Sequence, residues 1–254
     1  MSQPKELDFF VSDLFVRRTK GPRGVDWYRR HFDARSPVRG ESSPNYTAEP
    51  IPPRGRRRVF DPYHRGVAER MHALVPGAKL IYMVRDPVER VRAQWIHVRS
   101  RGWEREAIES AVFNPGSTYI ARSSYCFQLE RFLEHYPLDQ ILVLDQDDLL
   151  HRRPQTLAAV FRFLGVDDSF WSRSYEGVFN ITSALRRRTA LGRAAQVALP
   201  RRAWGKLRRH RPFSFPFERP EMDEAIRGEL TDRLSEDVAR FRALTGRPFE
   251  NWSL

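Results

Sequence analysis

Cysteine is almost missing from this chain: Cys126 is the one thiol in 254 residues. A single thiol excludes an intramolecular disulfide, and zinc clusters built on several thiolates are excluded with it. That usage suits a reducing compartment, so a cytoplasmic location is the expectation. With no histidine near it in sequence, Cys126 reads as a small core residue and not as a nucleophile. No apolar run is long enough to span a bilayer, and the first residues lack the apolar core of a signal peptide. Internal repeats are absent, as is any Gly-x-x-x-x-Gly-Lys-Ser/Thr phosphate loop. Residues 184–211 contain no acidic side chain and are interrupted by Gly192, Pro200 and Gly205. They read as a basic insertion or loop on a single domain covering residues 1–254.

What is present is a globular composition, 41% apolar and 12% aromatic, at a length that supports a continuous core. The formal net charge of +12 points to an anionic partner, and much of it is arginine. The planar guanidinium grips phosphate and sulfate through paired hydrogen bonds. A merely solvated basic surface is the alternative reading of the same charge.

Periodicity predicts a helix from His64 carrying Val67, Met71 and Leu74, stopped by Pro76-Gly77. The run Ala78 to Val84 reads as a buried strand and ends at Arg85-Asp86-Pro87. A helix then carries Val88, Val91, Trp95 and Val98 on one face, with Pro87 in its first turn. Further helices are expected over Tyr125 to Tyr136, from Pro154 to Leu164 with Gly165 as its stop, and over 221–245. A second strand is expected over Gln140 to Leu144. A turn at Gly21-Pro22 and a surface loop over 50–58 complete the outline. Alternation of this kind implies an α/β fold with a mainly parallel sheet.

The strand, then Arg85-Asp86-Pro87, then helix is the most informative segment. Ligands of parallel α/β sheets bind beyond the carboxyl ends of the strands, where a helix N-terminus offers free N–H groups to an anion. Arg85 at that junction either grips a phosphate or pairs with a nearby carboxylate, and spacing alone does not separate the two. For Arg90 and Arg92 solvated helix charges are the alternative to anion contacts, and for Arg92 that alternative is preferred.

Ile81-Tyr82-Met83-Val84-Arg85-Asp86-Pro87-Val88-Glu89-Arg90 resembles the 3′-phosphate-binding motif of sulfotransferases that use 3′-phosphoadenosine 5′-phosphosulfate (PAPS), particularly the heparan sulfate and bacterial glycan-type branch. Other segments follow in that family's order. Lys5-Glu6-Leu7-Asp8-Phe9-Phe10 is similar to its Lys-Glu-hydrophobic-His-Phe-Phe segment. Gly24 to Tyr28, Gly40 to Tyr46, Arg122-Ser123-Ser124-Tyr125, Ile141 to Leu144, Phe163-Leu164-Gly165 and Thr245 to Phe249 with Trp252 are similar to later ones. The resemblance implies a P-loop-NTPase-like parallel sheet flanked by helices. It implies sulfuryl transfer from PAPS, without a metal, to a hydroxyl or amine of a carbohydrate or other small acceptor.

The resemblance also implies site residues. Glu6 stands where the 3-O-sulfotransferase-like branch has its general base, although an exposed tail residue is the other reading; Glu41 is the second candidate carboxylate. Ser42 occupies a position that is often lysine in the family and, with Tyr125, is a candidate acceptor contact. Arg85 maps onto the arginine that holds the 3′-phosphate. Ala93, eight residues on, replaces a serine that usually completes that grip. Arg188 and Thr189, beside Arg186 and Arg187, stand near a loop that covers the nucleotide in relatives, and are expected to compensate. The family's first strand and its 5′-phosphosulfate loop are not found before Lys5; a wrong start site, a fragment or a degenerate protein would each account for that.

Two other functions stay open at this point. One is a catalytically inactive module that keeps an anion cleft. The other is a basic nucleic-acid or membrane-surface binder acting through residues 184–211, where aromatics other than Trp204 are few and apolar positions look sparse. No nucleic-acid partner is expected, and oligomeric state is unreadable.

Overall fold

The computed structural model describes residues 1–12, 24–51, 64–114, 117–177, 186–208, 210–216 and 220–254. Within residues 186–216 the side chains of Arg187, Arg188, Arg193 and Arg201 lie outside that description. The turn at Gly21-Pro22 and nearly all of the loop at 50–58 fall outside it too.

Strands β1 (Leu80–Val84) and β2 (Ile141–Asp145) pair in parallel, in register from Leu80 opposite Ile141 to Val84 opposite Asp145. The helices around them are α1 (Val25–Arg29), α2 (Val67–Leu74), α3 (Pro87–Ser100), α4 (Ile108–Phe113), α5 (Tyr125–Leu133), α6 (Gln146–His151) and α7 (Arg153–Leu164). A short antiparallel pair, β3 (Arg186–Arg188) and β4 (Ser214–Pro216), brackets α8 (Ala190–Ala198) and α9 (Arg201–Leu207). The longest helix among the described residues, α10 (Glu224–Thr245), precedes a short C-terminal segment.

The α/β expectation is met, with two corrections. First, β1 is not fully buried: Ile81 and Met83 are each 43% exposed, because no described helix covers that face. Second, residues 184–211 are not an irregular loop, since 186–216 carry two strands and two helices. Gly192 explains the error. A Cβ there would sit 2.0 Å from the Phe213 carbonyl oxygen, so the glycine permits close approach of α8 to β4 and does not break the helix.

Helix α10 ties two hydrophobic cores together. Its C-terminal half places Val238 and Phe241 among Val84, Tyr125, Leu129, Phe132, Ile141, Phe249 and Trp252. Its N-terminal half places Leu230 and Leu234 against Val88, Val91, Trp95 and Val112. The 3.6-residue spacing of those four positions on α10 produces this buried stripe.

A carboxylate on α10 also starts α5, whose own Ser124 makes no side-chain cap. Asp237 accepts hydrogen bonds from the backbone N–H groups of Cys126 and Phe127, both at 2.9 Å. Burial pushes the Asp237 carboxyl up, and the two N–H donors pull the other way. Asp237→Ala would leave both donors without that partner and is expected to cost about 2 kcal/mol. Urea unfolding checks this; a midpoint unchanged from the parent protein would show that water replaces the carboxylate at no cost.

Candidate functional site

The turn after β1 is built by Asp86. Its Oδ1 accepts from the Glu89 N–H at 2.9 Å and caps α3, while Oδ2 accepts from the Ser253 N–H at 2.6 Å. Pro87 takes the first helical position, where its missing N–H is not needed. The C-terminal segment is thus fastened to the strand–helix junction, and the Trp252 indole fixes it further by donating to buried Asp145 at 3.0 Å.

Arg85 lies half-buried at this junction. Its Nη2 donates to the Glu89 carbonyl oxygen at 2.7 Å, and among the described residues no carboxylate pairs with it. The reason is visible in the neighbours. The Glu89 carboxylate is taken by Arg227 of α10 at 2.8 Å and by Arg92 at 3.4 Å. Asp86 is engaged in capping and in holding Ser253. The alternative in which Arg85 is locked onto a carboxylate is therefore not what the fold shows. Burial pushes the Arg85 guanidinium down and Arg90 adds to this, while Tyr125, Glu89 and Asp86 partly offset it.

Arg90 and Arg92 are not solvated charges. Arg92 pairs with Glu89 and also donates to the Pro220 carbonyl at 3.4 Å. Arg90 is half-buried, donating to Gln94 Oε1 at 2.9 Å and Ser123 Oγ at 3.2 Å, and desolvation lowers its pKa. Two guanidiniums thus flank one junction with no carboxylate partner among the described residues. Partial desolvation disfavours a guanidinium that has no carboxylate within ion-pair distance, and an arriving anion would offset part of that cost.

The N-terminal segment runs beside residues 40–43: the Ser2 N–H donates to the Gly40 carbonyl at 2.8 Å, and the Ser42 N–H to the Lys5 carbonyl at 3.3 Å. Glu6 and Ser42 are both exposed here, so the fold brings these two together. Glu6 also lies close enough to His97 of α3 to favour the imidazolium, although burial and Arg101 prevail and lower the His97 pKa. The sequence reading missed His97. The signal was present: Arg85, Glu89, Ala93 and His97 recur every four residues along one stripe.

Glu41 is differently placed. Its Oε1 accepts from Tyr46 Oη at 2.5 Å and Tyr28 Oη at 3.3 Å. Burial and the Glu41 charge push both phenols well above their usual range, so they remain donors. That geometry makes Glu41 an anchor for the segment that meets Glu6.

Three expected contacts are corrected. Tyr125 is 2% exposed, packed against Tyr82, Phe241 and Trp252, and its hydroxyl accepts from the Arg85 N–H at 3.3 Å. It backs Arg85 and does not face an acceptor, because its ring completes the core. Thr189 is used by the fold: its hydroxyl accepts from the Gly192 N–H at 3.0 Å, capping α8, and donates to the Pro212 carbonyl at 2.8 Å. Arg186 likewise binds Ser214 through its Oγ and carbonyl. The Arg188 side chain lies outside the described residues, and Ala93 is half-buried on α3. A cavity of about 120 Å³ between α2 and α5, lined by Glu49, His64, Glu69, Arg131 and His135 among others, does not include Arg85. As bounded by the described residues, it is too small for a nucleotide.

The arrangement of these segments has counterparts among known proteins. A family model described as "Sulfotransferase family" matches residues 8–171. The chain belongs to the sulfotransferase family. Human bifunctional heparan sulfate N-deacetylase/N-sulfotransferase 2 is 25% identical over 201 residues, covering 68% of this chain and 21% of that protein. Mouse heparan sulfate glucosamine 3-O-sulfotransferase 5 is 25% identical over 193 residues, covering 70% and 49%. The chain therefore spans about a fifth of the first sulfotransferase and about half of the second. A solved sulfotransferase from Alicyclobacillus acidocaldarius superposes with a TM-score of 0.61 at 22% identity, covering all of this chain and 84% of the other. That likeness shows a sulfotransferase fold. Among the described residues no helix is long and apolar enough to cross a membrane, and no cluster of His, Cys, Asp and Glu has metal-binding form.

Proposed function

We propose that this sulfotransferase moves a sulfuryl group from PAPS to a hydroxyl or amine of a glycan-type acceptor. The observation that carries the reading is Arg85, a desolvated guanidinium at the β1–α3 junction without a carboxylate partner among the described residues. It binds the donor's 3′-phosphate, with Arg90 adding positive potential behind it. From Pro87 to His97 the helix rises about 15 Å, enough for a nucleotide's ribose and 5′ chain to reach the Glu6 end. There the Glu6 carboxylate takes the acceptor's proton as the oxygen or nitrogen lone pair attacks sulfur. The bond from sulfur to the bridging phosphate oxygen breaks, and 3′-phosphoadenosine 5′-phosphate departs. His97 positions Glu6, and Glu41 holds the adjoining segment. The names of the heparan sulfate relatives support an acidic glycan as acceptor.

Incubation of the protein with PAPS labelled in the sulfuryl group, together with a panel of acidic and neutral glycans, tests this. Label on a glycan, lost on Glu6→Gln, is the expected result. Nucleotide binding with no transfer to any acceptor would instead mark an anion-binding module.

Ala93→Ser would restore a hydroxyl on the Arg85 stripe. A hydrogen bond to a charged group is typically worth about 1.5–3 kcal/mol. The variant is therefore expected to bind 3′-phosphoadenosine 5′-phosphate about tenfold more tightly by calorimetry. Unchanged affinity would place the phosphate out of reach of position 93.

A further inference from the structure

The excess charge of this protein is confined to one stretch. Residues 184–217 hold ten of the 44 Lys and Arg residues and none of the 32 Asp and Glu residues. Without them the chain is nearly neutral, with 34 basic residues against 32 acidic ones. The described part of the stretch is a folded unit. Thr189 caps α8, Gly192 lets α8 press on the Phe213 carbonyl, and buried Trp204 of α9 meets the Phe213 ring edge-on at 6.4 Å.

With Gly192 turned inward, α8 presents an apolar face outward. Ala190, Leu191, Ala194, Val197 and Ala198 are all exposed, Leu191 at 52% and Val197 at 91%. They fall within an arc of about 120° on the helix. This reverses the usual order, in which the apolar stripe of a helix faces the core. Phe215 of β4 adds a further exposed ring at 39%. In the same folded unit, on α9 and the segment that follows it, Arg202, Lys206, Arg208 and Arg211 are exposed as well.

We infer that the unit spanning residues 186–216 docks on an anionic phospholipid surface. An apolar helical stripe beside cations is the pattern that lies in the headgroup region, with the stripe inserted and the charges held by the lipid phosphates. A polyanionic glycan or nucleic acid would use the cations and leave Leu191 and Val197 unexplained. A second copy of the chain would bring two acid-free basic surfaces together. This docking would hold the enzyme at a surface, and it stands independently of the donor site at Arg85.

The test uses the whole protein and vesicles of phosphatidylcholine with and without phosphatidylglycerol, read by co-sedimentation. The protein is expected to bind only the mixed vesicles. Leu191→Ser with Val197→Ser should weaken that binding by roughly tenfold or more while leaving retention on a heparin column unchanged. Arg202→Gln with Lys206→Gln should weaken it by about 25-fold. All four side chains are exposed, so unfolding midpoints should stay at the parent value. Absence of binding to mixed vesicles, or equal binding to both kinds, would overturn the inference. So would an unaltered Leu191/Val197 variant whose vesicle binding heparin displaces, an outcome that assigns the unit to soluble polyanions.

Discussion

Arg85→Ala is expected to weaken binding of 3′-phosphoadenosine 5′-phosphate by roughly a hundredfold. The guanidinium fork offers two parallel N–H donors to a phosphate, and each such bond contributes about 1.5–3 kcal/mol. Partial exposure and screening reduce the total to about 3 kcal/mol. The protein itself should tolerate the change, since Arg85 makes one side-chain hydrogen bond, to the Glu89 carbonyl, among the described residues. Arg85→Lys should fall between the two, because an ammonium keeps the charge but not the fork. Titration calorimetry on all three proteins reads the effect directly. If the alanine variant binds as the parent does, the phosphate is held elsewhere.

Trp252→Ala is expected to cost about 3–5 kcal/mol in stability. The indole stacks on Phe249 at 4.3 Å and on Phe241 at 6.1 Å, and meets Tyr125 at 5.6 Å. Its Nε1–H also satisfies Asp145, whose other oxygen accepts from the Asp147 N–H. Removing the ring leaves a cavity and a buried carboxylate oxygen short of a donor. Trp252→Phe keeps most of the packing and loses only that hydrogen bond, so about 1–3 kcal/mol is expected. Because the next residue holds Asp86, the alanine variant should also loosen the turn that carries Arg85. Chemical unfolding separates the two variants; a loss below about 1 kcal/mol in Trp252→Ala would mean that the C-terminal segment is peripheral to the fold.

The strand–turn–helix at residues 80–100 was legible because it is local. An apolar run, a proline suited to a first helical turn and an arginine between them are read within twenty residues. Helix α10 was legible for a similar reason, its stripe repeating over 22 residues. What sequence spacing did not reveal is long-range. Asp237 caps a helix 111 residues away, Arg227 takes the Glu89 carboxylate from 138 residues away, and Ser253 reaches back to Asp86 across 167. The second and third of these occupy the Glu89 and Asp86 carboxylates, which leaves Arg85 without a carboxylate at ion-pair distance among the described residues, and nothing in the order of residues announces them. Tyr125 was misassigned because its motif position gives no side-chain direction; the aromatic core around Phe241 and Trp252 sets that. In residues 184–211 the glycine and proline positions looked like breaks. Only the packing of Gly192 on Phe213 and the start of α9 after Pro200 show them to be joints of a folded unit.

The donor-binding account is tested most directly by a crystal structure of this protein with 3′-phosphoadenosine 5′-phosphate. It predicts that the 3′-phosphate lies within hydrogen-bonding distance of the Arg85 guanidinium, with the 5′ end directed along α3 toward His97 and Glu6. A nucleotide bound with its 3′-phosphate away from Arg85, while that side chain keeps only the Glu89 carbonyl, would contradict it.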